Sequence, residues 1–112
     1  MAGFTEQLAR LRESIAQAGR GIEDVVTAKR VYLCLDDDPG PAAQMMQRWF
    51  SETWGDSGLA SAAGVFGSPA QCAAELLALR NAGADLLILD PIANITTQTE
   101  RIVGELLPLL AV

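Results

Sequence analysis

The sequence predicts one α/β domain over residues 1–112, with parallel strands and the element order α-β-α-β-α-β-α. Three observations predict it. Short continuous apolar runs alternate with segments of helical periodicity, and most of the turns between them are brief. Half of the 112 residues are hydrophobic, which is enough to form a core and is unlike a disordered chain. Alternation of helices with strands apolar on both faces implies βαβ crossovers and a parallel sheet.

Phe4, Leu8, Leu11, Ile15 and Ala18 recur at helical spacing, with Thr5 as a candidate cap and Gly19 or Gly21 as the stop. Val31–Leu35 is a partly β-branched apolar run, suited to a strand covered on both faces. It stops at Asp36-Asp37-Asp38-Pro39-Gly40-Pro41, a turn composition. A second helix is expected with Pro41 at its first position and Ala42, Met46, Trp49, Phe50 and Thr53 on one face, ending at Gly55. Residues 56–63 are small and polar and read as the loosest part of the chain. Gly64-Val65-Phe66 is a short strand closed by Gly67.

Ser68-Pro69-Ala70-Gln71 forms a capping box: Ser68 as N-cap, Pro69 at the first helical position and Gln71 at the third. The helix it starts carries Cys72, Ala73, Leu76, Leu77 and Leu79, and closes at Asn81-Ala82-Gly83. Leu86–Leu89 is a third two-faced strand, ended by Asp90-Pro91. The last helix is expected from about Thr96, with Thr97 and Glu100, or a shifted pair, as its capping box. Ile95, Ile102, Val103, Leu106, Leu107 and Leu110 are expected along its buried stripe.

Eight basic against 14 acidic residues leave a formal charge of −6, which suits neither a nucleic acid backbone nor an anionic membrane surface. The chain contains no His, so Ser-His, Cys-His and His-metal chemistries are excluded. Cys34 and Cys72 lie in apolar runs and read as buried hydrophobes. Met1-Ala2-Gly3-Phe4-Thr5-Glu6-Gln7 lacks the pattern of a signal peptide, and no apolar run has membrane-spanning length. The chain reads as cytoplasmic, with a small-molecule ligand and no nucleic acid or membrane partner.

Chemistry in a parallel α/β sheet lies beyond the carboxyl ends of its strands. Asp36, Asp37 and Asp38 form a hard-cation cluster or, as their adjacency favours, a solvated turn with Asp38 or Gly40 as a helix cap; no metal site is assigned. Gly67 and Ser68 combine free helix-start amides, room for close approach and a hydroxyl. They are the best candidate anion seat, set against plain capping. Asp90 either orients a ligand or holds its own turn. Arg20, Lys29 and Arg30 form a small basic cluster, expected to be solvated or paired with Glu23 and Asp24. Trp49, Phe50 and Trp54 read as packing residues. No Walker loop, dinucleotide fingerprint or Ser nucleophile motif occurs.

The order Gly64-Val65-Phe66-Gly67-Ser68-Pro69, a helix closing on Asn81-Ala82-Gly83-Ala84-Asp85, then Leu86–Pro91 and Leu107-Pro108-Leu109 resembles a known family. It is the bacterial-luciferase-like family of flavin- and deazaflavin-dependent oxidoreductases. Ala18-Gly19-Arg20, the run Val31–Leu35 and Asp36–Asp38 before an Ala-containing helix add to the likeness. The resemblance covers the last third of a family member. It implies a partial (β/α)8 TIM-barrel-like unit, monooxygenase-class chemistry and FMN or a deazaflavin as cofactor. Gly67, Ser68 and Asp90 would lie on the cofactor side, with no catalytic residue assigned. The strands missing relative to the family imply either a homo-oligomer or pairing with an N-terminal barrel portion. The alternative is a non-catalytic α/β interaction domain that oligomerises through an open sheet edge. A flavodoxin-like or response-regulator-like protein fits the alternation but needs five strands.

Overall fold

A computed structural model describes residues 2–110; Met1, Ala111 and Val112, which the expected domain also spans, lie outside the described residues. The order is α1 (Ala2–Gln17), a 3-10 turn (Ile22–Asp24), β1 (Ala28–Leu35), α2 (Pro39–Trp54), α3 (Leu59–Ala63), β2 (Gly64–Gly67), α4 (Pro69–Asn81), β3 (Leu86–Pro91) and α5 (Ile95–Arg101). After α5 the chain continues through a π-helical turn (Ile102–Leu106) into a 3-10 turn (Leu107–Leu110). No helix of the described residues is long and apolar enough to cross a membrane.

All three strands are parallel, and the sheet is open with the order β2-β1-β3. A (β/α)8 barrel closes on itself, with successive strands side by side. Here β1 stands between the other two, the arrangement with which flavodoxin-like doubly wound sheets begin. The described residues therefore form a mixed α/β unit on an open three-stranded parallel sheet.

Strand alternation divides the core in two. Val31, Leu33 and Leu35 of β1 join Phe4 and Leu8 of α1, Leu76 and Leu79 of α4, and Ile102, Leu106 and Leu110 of the C-terminal turns. Cys34 and the half-buried Tyr32 point to the opposite face, where α2 and α3 supply Ala42, Met46, Phe50 and Ala60. Tyr32, Trp49 and Phe50 stack there with ring centroids 4.9–5.5 Å apart. Gly64 is needed where α3 and α2 press on the sheet: a Cβ there would stand 2.7 Å from the Ala60 carbonyl and from Met46 Cγ.

Several expectations are corrected. Thr5 lies inside α1 and caps nothing, and only Phe4 and Leu8 of the expected face are buried. Past Leu8 the expected face is uncovered, with Leu11 and Ala18 exposed and Ile15 half-buried. Helix α2 begins two residues early, with Asp38 as N-cap and Pro39 rather than Pro41 at its first position. Its far end carries Thr53 and Trp54 into solvent, so Trp54 is no packing residue. Residues 59–63 of the expected loose stretch form the short helix α3, held by the burial of Ala60.

Helix α5 starts at Ile95 after Asn94, which takes left-handed dihedrals (φ 48°, ψ 51°). Thr97 and Glu100 therefore lie within the helix and form no capping box. The π turn widens the winding just after Arg101, and the buried line becomes Gln98, Ile102, Leu106 and Leu110. Ile95 and Val103, expected inside, are exposed.

Candidate functional site

The three carboxyl strand ends lie along one end of the sheet, in the order β2-β1-β3. Leu35 pairs with Gly67, and the amide of Asp36 donates to the Gly67 carbonyl at 2.9 Å. This sets the Asp36–Asp38 turn beside Gly67-Ser68. Asp90 is on β3, in register with Tyr32 of β1. Gly67 and Asp90 are thus separated by the full width of β1, about 10 Å across the sheet, and by three residues along it, roughly another 10 Å.

At the β2 end the capping box forms as the sequence predicts. Ser68 Oγ accepts from the Gln71 amide at 3.2 Å, and the Ser68 amide donates to Gln71 Oε1 at 2.9 Å. Gly67 has φ +126°, and a Cβ at that position would collide with Gln71 Oε1. Gln71 thus folds back over the turn, so the space and the Ser68 amide that would greet an anion serve the cap. Clustered carboxylates at residues 36–38 further disfavour an anion there.

The acidic turn is consumed by local hydrogen bonding. Asp36 Oδ1 accepts from the Asp38 amide at 2.9 Å, and Asp38 Oδ1 accepts from the Gly40 amide at 3.0 Å, capping α2. Asp37 pairs with Arg101 at 2.8 Å, and Arg101 also bonds Glu105 one turn along. These two carboxylates hold the Arg101 guanidinium above its usual range. No group of three metal-ligating side chains occurs among the described residues.

Asp90 bonds the Arg30 guanidinium at 2.6 and 3.0 Å. That hydrogen bond and the charge of Asp90 raise the Arg30 pKa. Arg30 also lies 5.4 Å from the Tyr32 ring centroid. The expected basic cluster is therefore divided: Lys29 and Arg30 point to opposite faces of β1, and Arg30 pairs across to β3 rather than with Glu23 or Asp24.

Both cysteines are buried free thiols. Burial raises Cys34, with help from Asp36, and pushes Cys72 up to about 12, with added repulsion from Glu75 and Cys34. Neither is poised as a thiolate nucleophile.

Gln98 is the residue that sequence reasoning overlooked. It is buried at the end of β1, where its Oε1 accepts from the Leu35 amide at 2.8 Å and its Nε2 donates to the Leu35 carbonyl at 2.9 Å. The carboxamide satisfies the strand beyond the point where β3 stops pairing. A signal was present: Gln98, Ile102, Leu106 and Leu110 recur every four residues.

Three clefts lie towards the opposite, amino end of the sheet. One, of about 220 Å³, is walled by Leu76, Leu77, Leu87, Leu89, Leu107 and Leu110 beside β3. No family model, curated protein or solved structure matches the chain.

Proposed function

We propose that the chain is a luciferase-like oxidoreductase of the flavin- or deazaflavin-dependent monooxygenase class, or a C-terminal portion of one, and that it does no redox chemistry alone. What supports this is the context in which the motif falls. A parallel strand ends at Gly67, Ser68 and Pro69 open a helix, and Gly83 turns the chain into a further parallel strand ending at Asp90-Pro91. The reading requires a barrel in which β3 lies beside β2, so completion would shift β3 away from its present place beside β1.

The described residues do not by themselves fit a flavin. Gln71 covers the Gly67-Ser68 turn, and Asp90 is tied to Arg30 on the far side of β1. FMN or a deazaflavin would be held mainly by the preceding barrel units, and would supply the redox chemistry. Flavin fluorescence tests the reading. Residues 1–112 alone are expected to leave FMN and deazaflavin fluorescence unchanged, and a polypeptide extended upstream in the reading frame is expected to quench one of them. An upstream frame without βα units, or a longer polypeptide that binds neither, overturns the reading.

A second reading, a non-catalytic α/β domain that associates through its open sheet edge, is favoured by one observation. Strand β3 has an apolar sequence on both faces but lies at an edge, with Leu86 51% and Ile88 48% exposed.

A further inference from the structure

We infer that β3 is a self-pairing strand, joining a second copy of this chain across a two-fold axis at Ile88 to make a six-stranded sheet. The inference rests on the second reading above and names its partner and register. Leu86 donates its amide to the Thr27 carbonyl and Ile92 to the Leu33 carbonyl, so the even-numbered residues of β3 face β1. Backbone polarity alternates along a strand, which turns the N–H and C=O groups of Leu87 and Leu89 outward. Pro91, the next outward residue, has no amide to offer.

An antiparallel two-fold register centred on Ile88 places Leu87 opposite Leu89 of the second copy, and Leu89 opposite its Leu87. Both outward amides and both outward carbonyls of each copy are then satisfied. Ile88 meets its own counterpart as a non-hydrogen-bonded pair, about 4.5 Å apart at Cα. On one face this joins the two leucine-walled clefts at Leu87 and Leu89. On the other it brings the two exposed Ile88 side chains together, with each Leu86 opposite Asp90 of the second copy and diagonal to its Ile88.

The self-matching register points to a second copy, and charge permits it. The chain carries −6, yet residues 86–89 are uncharged, and the neighbouring Arg30 and Asp90 neutralise each other. Two copies can therefore meet at this strand without like charges facing directly. The charged residues that usually guard an exposed edge are absent between Asp85 and Asp90. The other edge, β2, is only four residues long and begins and ends in Gly, which makes it a poor template.

Light scattering on the whole chain at about 100 µM is expected to give twice the 11.9 kDa chain mass. Ile88→Lys is expected to abolish the dimer, whereas Val103→Lys, at an exposed position on another element, leaves it intact. Ile88→Cys is expected to form an intermolecular disulfide under mild oxidation, because the facing Cα atoms come within disulfide range. That cross-link decides the register even if Ile88→Lys fails to fold. A monomer overturns both the inference and the second reading. An assembly that survives Ile88→Lys and leaves Ile88→Cys uncross-linked overturns the β3 register while sparing association itself.

Discussion

Strands β1 and β3 are read alike from sequence, as apolar on both faces, yet they occupy opposite situations. In β1, Val31 and Leu33 are fully buried, because α1 and α4 cover one face while α2 and α3 cover the other. In β3, Leu87 and Leu89 are half-buried, and Leu86 and Ile88 stand in solvent. An apolar strand thus records the surroundings it suits, and β3 suits surroundings that the described residues only half provide. The difference places the packed centre of the sheet in β1 and its exposed apolar edge in β3.

The largest effect that sharpens this contrast is expected at the centre. Leu33→Ala should cost about 3 kcal/mol of unfolding free energy, read by urea denaturation, because it opens a cavity between well-packed layers. Ile88→Ala should change the stability of the monomer by well under that amount. Equal losses at the two positions would erase the distinction between the strands. Next comes Gln98→Ala, which strands the buried Leu35 amide and carbonyl and should cost roughly 2 kcal/mol by the same measurement. Ser68→Ala should cost about 1 kcal/mol, the ordinary loss of an N-cap.

The smallest effect concerns the thiols. Cys34 and Cys72 should remain silent to a thiol reagent at about pH 8 until the chain unfolds, because burial disfavours both thiolates. Rapid labelling of the native chain would show the centre of the sheet to be as open as its β3 edge.

Local signals in the sequence were strong where one short stretch decides the structure. The Ser68–Gln71 box, the stop at Gly55 and the short strand Gly64–Gly67 all form as their residues suggest. Strand order was not legible, since nothing local in Leu86–Leu89 says that it pairs with β1 rather than β2. On the last helix the expected stripe holds at Ile102, Leu106 and Leu110 but fails at Val103, where a π turn shifts the helical phase and no residue type announces it. Gly67, Ser68 and Asp90 were legible as strand ends, but not as groups already engaged by Gln71 and Arg30. Those partners become visible only once the chain has folded.

The central claim, that β3 is an interface strand, is tested most directly by hydrogen exchange at the Leu87 and Leu89 amides as chain concentration rises. The account predicts slowing of both as dimer forms, with the Leu33 amide, already bonded inside the sheet, little changed. Exchange at Leu87 and Leu89 as fast as in an unstructured chain at every concentration would contradict it.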